Sequence, residues 1–292
     1  MSTPDAADAP LRRTRRGEFG DSAVASDASM HGESVDGESA VGGAAEPEAG
    51  ESPERTRRRD WRLGGRTVAR WRERVLALAL IALGVGVLGG TALVTFVSAS
   101  WAPLVATVLL WVAMLIAIVY AFVRSRPAGL LGFRAQDLVF GLGIGLLLRL
   151  VQGWVDAATG GTGAFPSYPT IGGSLPNGWL FNDVIATVLI APVIEEFFFR
   201  GVILVALYTL LRRPVGKIVA AAVAAVASTG IFVLVHALGG ALAVDQVISL
   251  TVVGLVCASL VLLTGRIWPA VLAHVVYNGT YVVLALIGTY AG

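Results

Sequence analysis

From about residue 75 the chain is almost entirely apolar, and the apolar runs are broken only by short polar or arginine-bearing stretches. A helix that crosses the roughly 30 Å hydrocarbon layer of a bilayer needs about 20 mostly apolar residues. Seven runs meet that length: 75–98, 103–123, 137–155, 179–211, 216–238, 243–265 and 267–289. The expected fold is therefore all-α, a polytopic membrane helix bundle of about seven spans. The fourth run stands out, because as a regular helix it would reach roughly 50 Å. It must tilt, break or project beyond the membrane.

The short connections carry an orientation signal. Arg124, Arg126 and Arg134 follow the second span, Arg212, Arg213 and Lys217 follow the fourth, and Arg266 follows the sixth. The alternate loops, 99–102, 156–178 and 239–242, hold no Lys or Arg. Basic loops stay on the cytoplasmic side, so the N-terminus is expected in the cytoplasm and the C-terminus outside, in the cell membrane.

Composition supports the class. Only 14% of the residues are charged and 55% are hydrophobic, where a soluble domain carries about a quarter charged. Most charges lie in residues 1–72. Residues 1–50 are rich in Ala, Gly, Ser, Asp and Glu and are read as a disordered tail, with His31 solvated in it. An arginine-dense belt follows, from Arg55 to Arg74, suited to anionic headgroups. The net charge of +2 describes no single surface and implies no nucleic-acid partner. This gives a tail with its basic segment over 1–72, a two-helix hairpin over 73–128 and a core over 129–292. The lone cysteine, Cys257, permits no internal disulfide and reads as a small buried apolar residue. Trp71, Trp101, Trp154, Trp179 and Trp268 fall at span ends, where tryptophan anchors the interface.

Against this background, APVIEEFFFRGVIL (191–204) places two glutamates and an arginine inside a span. Ionisable groups are costly there and face a bundle interior or a water-filled cavity. Glu196 and Arg200 stand at i and i+4, where a salt bridge forms. Glu195 points about 100° away and has no such partner, so it is the better general base. The remaining histidines, His236 and His274, also lie in spans, with Phe232 four residues before the first and Asn278 four after the second. The turn between spans four and five puts Glu195, Glu196 and His236 at one depth. Counting does not fix the depth of His274 and Asn278, which sit roughly 12 and 18 Å above Arg266, while Glu195 is roughly 27 Å above Arg213. Arg149 and Gln152 are further intramembrane polar groups, open to lining the same cavity, contacting substrate or snorkelling. Asp183 near the outer end of span four is a candidate partner for Arg149, and a supporting role is the most these residues are expected to play.

The ordered trio EExxxR, FxxxH and HxxxN resembles the CAAX protease and bacteriocin-processing family of intramembrane proteases, whose type II CAAX prenyl endopeptidases carry these motifs on separate spans. The resemblance covers roughly residues 130–290. It implies endoproteolysis of a membrane-associated peptide or protein at a site sunk in the lipid bilayer. It further implies that Glu195 with His236 activates water, that His274 and Asn278 donate to the oxyanion, and that Glu196, Arg200 and Phe232 support them. The family is usually termed a metalloprotease, and Glu195, His236 and His274 form the matching zinc set. Metal-free, glutamate-activated water is the preferred expectation, with no obligatory cofactor. Two other functions stay open at this point. One is a catalytically silent scaffold or bacteriocin self-immunity factor, and the other is a transporter with a proton relay.

Overall fold

In the computed structural model the described residues are 60–63, 68 and 71–291. The expected tail, His31 and most of the arginine belt lie outside them. Among the described residues there are seven long helical paths and no strand. They are α1 (Glu73–Phe96), α2 (Ala102–Arg124), α3 (Ala135–Ala158), α4 (180–211), α5 (Lys217–Gly239), α6 (Val244–Thr264) and α7 (Trp268–Tyr290). Each end falls within three residues of its expected place. Every path except α4 is individually long and apolar enough to cross a membrane, and the protein is an integral membrane protein.

The fourth path is wound differently. Its stretches Leu180–Ile190 and Glu196–Leu204 are π-helical, with i→i+5 bonding, and they alternate with the α-helical pieces Ala191–Glu195 and Val205–Leu211. Pro192 stands at the first junction. Proline gives no N–H and crowds the carbonyl four residues earlier, and the wider winding upstream relieves that crowding. The Ala191 N–H accordingly donates to Ala186 O, five residues back. More residues per turn also shorten the path, so winding takes up part of the excess length of the fourth run.

Glycine sets how closely the helices approach. A Cβ at Gly145 would lie 2.7 Å from the Ala273 carbonyl oxygen and 2.6 Å from Val276 Cβ, so α3 and α7 touch backbone to backbone. Small residues at such seams are the usual means of packing helices in lipid. At the basic end the same helices are pinned by charge. Asp137, fully buried at the start of α3, accepts from Arg266 Nη2 at 2.5 Å and from its Nε at 3.0 Å.

A short segment before α1 folds back onto this end. The Trp61 indole donates to Gly265 O at 3.0 Å, and its ring meets Tyr208 edge-on at 5.3 Å. Arg62 donates to the Leu262 and Leu263 carbonyls, the unpaired end of α6. Trp71 is also fully buried and donates to Ala121 O at 2.7 Å. It is a core residue, which corrects the expected interfacial role. Its N–H takes a carbonyl from the last turns of α2. Trp101 and Trp154 do lie exposed at helix ends.

Candidate active site

Three helices supply the polar groups: α4 with Glu195, Glu196 and Arg200, α5 with Phe232 and His236, and α7 with His274 and Asn278. Glu196 and Arg200 are fully buried and joined, Nη1 to Oε1, at 2.9 Å. Arg200 also donates from Nη2 to Gly254 O on α6 at 3.3 Å, and its guanidinium carbon lies 4.6 Å from the Phe232 ring centre. The i,i+4 pair expected from spacing therefore exists, a carbonyl and a ring face add to it, and Glu196 Oε2 and Arg200 Nε are buried without a hydrogen-bond partner.

The same Glu196 Oε1 lies 3.0 Å from His274 Nδ1. An ionised carboxylate accepts and does not donate, so Nδ1 carries the proton of this bond and Nε2 is turned the other way. Nε2 lies 3.9 Å from Glu195 Oε2. His274 is thus bracketed by the two adjacent glutamates, clamped by one and facing the other. Residue counting did not reveal this contact because α4 and α7 are not sequence neighbours. The π winding of α4 and the tight α3–α7 seam bring them level.

His236 is held by its own helix. Its Nδ1 lies 2.9 Å from Phe232 O, and a carbonyl only accepts, so Nδ1–H donates. The Phe232 ring centre is 4.4 Å from that of His236 and 6.0 Å from that of His274. The two imidazoles are therefore separated by no more than the sum of those distances, with Phe232 between them. The hairpin register agrees with the turn count. Phe199 meets Phe232 at 5.3 Å between ring centres, and that pair shares its midpoint with Glu195 and His236.

Asn278 donates from Nδ2 to Thr187 O at 2.9 Å. In an i→i+5 ladder that carbonyl would receive the N–H of residue 192, which is proline and has none. Asn278 fills the vacancy, and its second Nδ2 hydrogen remains. Arg149 does not pair with its candidate partner Asp183. It bonds instead to Gln152, Thr280 and the Tyr277 carbonyl, because its guanidinium lies along α7. Cys257 is fully buried, its thiol 3.8 Å from Ala270 O, as a packing residue.

Two supporting residues were not singled out from sequence. Ser228 donates to Phe199 O at 2.8 Å. Gly254 admits Thr229 so closely that a Cβ there would lie 2.6 Å from Thr229 Cγ2. Both are small, uncharged residues inside apolar runs and give no sequence signal of their own. Among the described residues no three His, Cys, Asp or Glu side chains gather closely enough to hold a metal ion. Glu195, His236 and His274 do not form such a set.

Residues 177–280 match the family model described as type II CAAX prenyl endopeptidase Rce1-like, the family that the three motifs resemble. All seven motif residues from Glu195 to Asn278 lie within the match. No curated protein and no solved structure matches the chain.

Proposed function

We propose that this protein is an intramembrane endopeptidase of the CAAX type that hydrolyses a peptide bond in a membrane-associated peptide or protein. The family match supports protease activity of this kind. The observation that carries the mechanism is the bracketed His274. Its Nε2 and Glu195 Oε2, 3.9 Å apart, are too far apart for a direct hydrogen bond and close enough for one water to touch both.

In this reading the water donates one hydrogen to Glu195 and the other to His274 Nε2, and its oxygen attacks the scissile carbonyl. Glu195 takes the proton as general base and returns it to the leaving nitrogen. Oxygen from water ends in the new carboxylate, and the nitrogen leaves as the amine. Glu196 and Arg200 fix the ring of His274 and do not contact the reacting atoms. In this reading the second Nδ2 hydrogen of Asn278 donates to the oxyanion, and His236 Nε2 is a second proton acceptor. This pairing differs from the one carried over with the motifs, since His274 rather than His236 shares the water with Glu195.

We assign the N-terminus to the cytoplasm and the protein to the cell membrane on the arginine pattern of its loops. The test is cleavage of a peptide library by purified protein in detergent, wild type against Glu195→Ala. Loss of a general base costs about 10²–10⁴ in rate. Cleavage by both proteins, or by neither, removes the reading. Activity that survives exhaustive chelation would speak for glutamate-activated water without a metal.

A further inference from the structure

Arg149 is the intramembrane cation that the proposed chemistry does not use. It lies nine residues inside the end of α3, roughly 14 Å along the helix, and lines a cavity of about 450 Å³ with Gln152, Asp156, Asp245, Gln246 and Tyr281. Residues 162–166 of the α3–α4 loop form another wall, and the Tyr168 N–H holds the loop to Thr289 at the end of α7 at 2.8 Å.

Each guanidinium nitrogen gives one hydrogen bond: Nε to Thr280 Oγ1 at 3.3 Å, Nη1 to Gln152 Oε1 and Nη2 to the Tyr277 carbonyl. The plane lies over the Tyr277 ring, 4.1 Å from its centre. A guanidinium has five N–H groups, so one on each Nη is left over. Among the described residues no carboxylate forms an ion pair with it. An oriented, positively charged fork without a counter-ion is a receptor for a planar anion.

We infer that Arg149 is a subsite that takes a carboxylate of the peptide substrate, and this rests on the hydrolytic reading above for what the substrate is. Its contacts on α7, at Tyr277 and Thr280, follow His274 by three and six residues, roughly 4.5–9 Å along the axis. A carboxylate held there lies within about 10 Å of the depth of His274 along α7. The two acidic residues of the cavity discriminate against highly charged anions. Asp156 is near the end of α3 and Asp245 is in the first turn of α6, and their charges repel a phosphate dianion about twice as strongly as a carboxylate monoanion.

The test reads binding, not cleavage. Purified full-length protein in neutral detergent is titrated with a pool of apolar hexapeptides bearing a neutral fluorophore. The pool is made with a free C-terminal carboxylate, with a C-terminal amide, and with the amide plus one internal Asp. The free-acid pool is expected to bind wild type about tenfold more tightly than the plain amide, the weight of one charge-assisted hydrogen bond. Arg149→Gln loses that preference and Arg149→Lys keeps part of it. If the Asp-bearing amide matches the acid, the carboxylate comes from a side chain. If only the acid binds tightly, it comes from the terminus. Equal binding of all three pools by wild type overturns the inference, as does a preference that survives Arg149→Gln, or displacement by anionic phospholipid that is blind to amidation. The wild-type comparison stands whether or not the variants fold. Protein that prefers the acid pool but cuts no peptide keeps this inference and sinks the hydrolytic one.

Discussion

The adjacent glutamates should fail in opposite ways when neutralised. Glu196 is fully buried, and its Oε1 accepts from Arg200 at 2.9 Å and from His274 at 3.0 Å. Glu196→Gln keeps the shape but leaves Arg200, itself fully buried, without its counter-charge. Removing one partner of a buried pair costs about 3–5 kcal/mol, and in a domain of this size that lowers Tm by roughly 6–20 °C. Glu195 has side-chain exposure of 15% and its ion-pair partner only at 3.9 Å. Glu195→Gln breaks no hydrogen bond, so its effect on stability stays under about 1 kcal/mol, while its hydrolysis falls by about 10²–10⁴. Thermal unfolding of both variants in one detergent, beside single-turnover cleavage, separates the two roles. An unchanged Tm for Glu196→Gln, or an equal drop for both, would refute the division into clamp and base.

Three further perturbations probe the frame. Gly145→Val drives a side chain into Val276 and the Ala273 carbonyl. It should cost about 1–3 kcal/mol and slow cleavage by shifting α7 under His274, and the conservative Gly145→Ala should do less of both. Asn278→Ala leaves Thr187 O without its donor and should destabilise by about 0.5–1.5 kcal/mol as well as lower kcat, so an effect on kcat alone would deny the bond to Thr187. Asp60 concerns pH. Burial pushes its carboxyl up, but hydrogen bonds from Arg62 outweigh this and hold it below the ordinary 3.8. A depressed pKa contributes stability that is fully present above 3.8 and is lost as pH falls through the folded value. Wild type should therefore lose more stability than Asp60→Asn between pH 6 and pH 3, and equal losses would contradict the pairing.

The spans were legible because hydrocarbon thickness dictates their length and arginine marks their ends. Glu196–Arg200 was legible because both lie on one helix, four residues apart. The depth match across α4 and α5 was legible because a short turn joins them. What spacing did not reveal depends on contacts between helices distant in sequence. The bond from His274 to Glu196 requires the depth of α7 against α4, which follows from π winding around Pro192 and from Gly145 against Ala273. Asn278 was assigned by motif to the oxyanion, and its bond to an orphaned carbonyl follows only once the winding of α4 is known. Trp71 reads as an interfacial anchor at a span end, and only the fold turns it and Trp61 inward.

The central claim is that water, activated between Glu195 and His274, is the nucleophile. Single-turnover cleavage in water enriched in oxygen-18 tests it, with mass analysis of both the product and the protein. The account predicts one heavy oxygen in the new carboxylate of the product and none in Glu195. Unlabelled product together with heavy oxygen retained in Glu195 would mean that the glutamate itself attacks the peptide, and would contradict it.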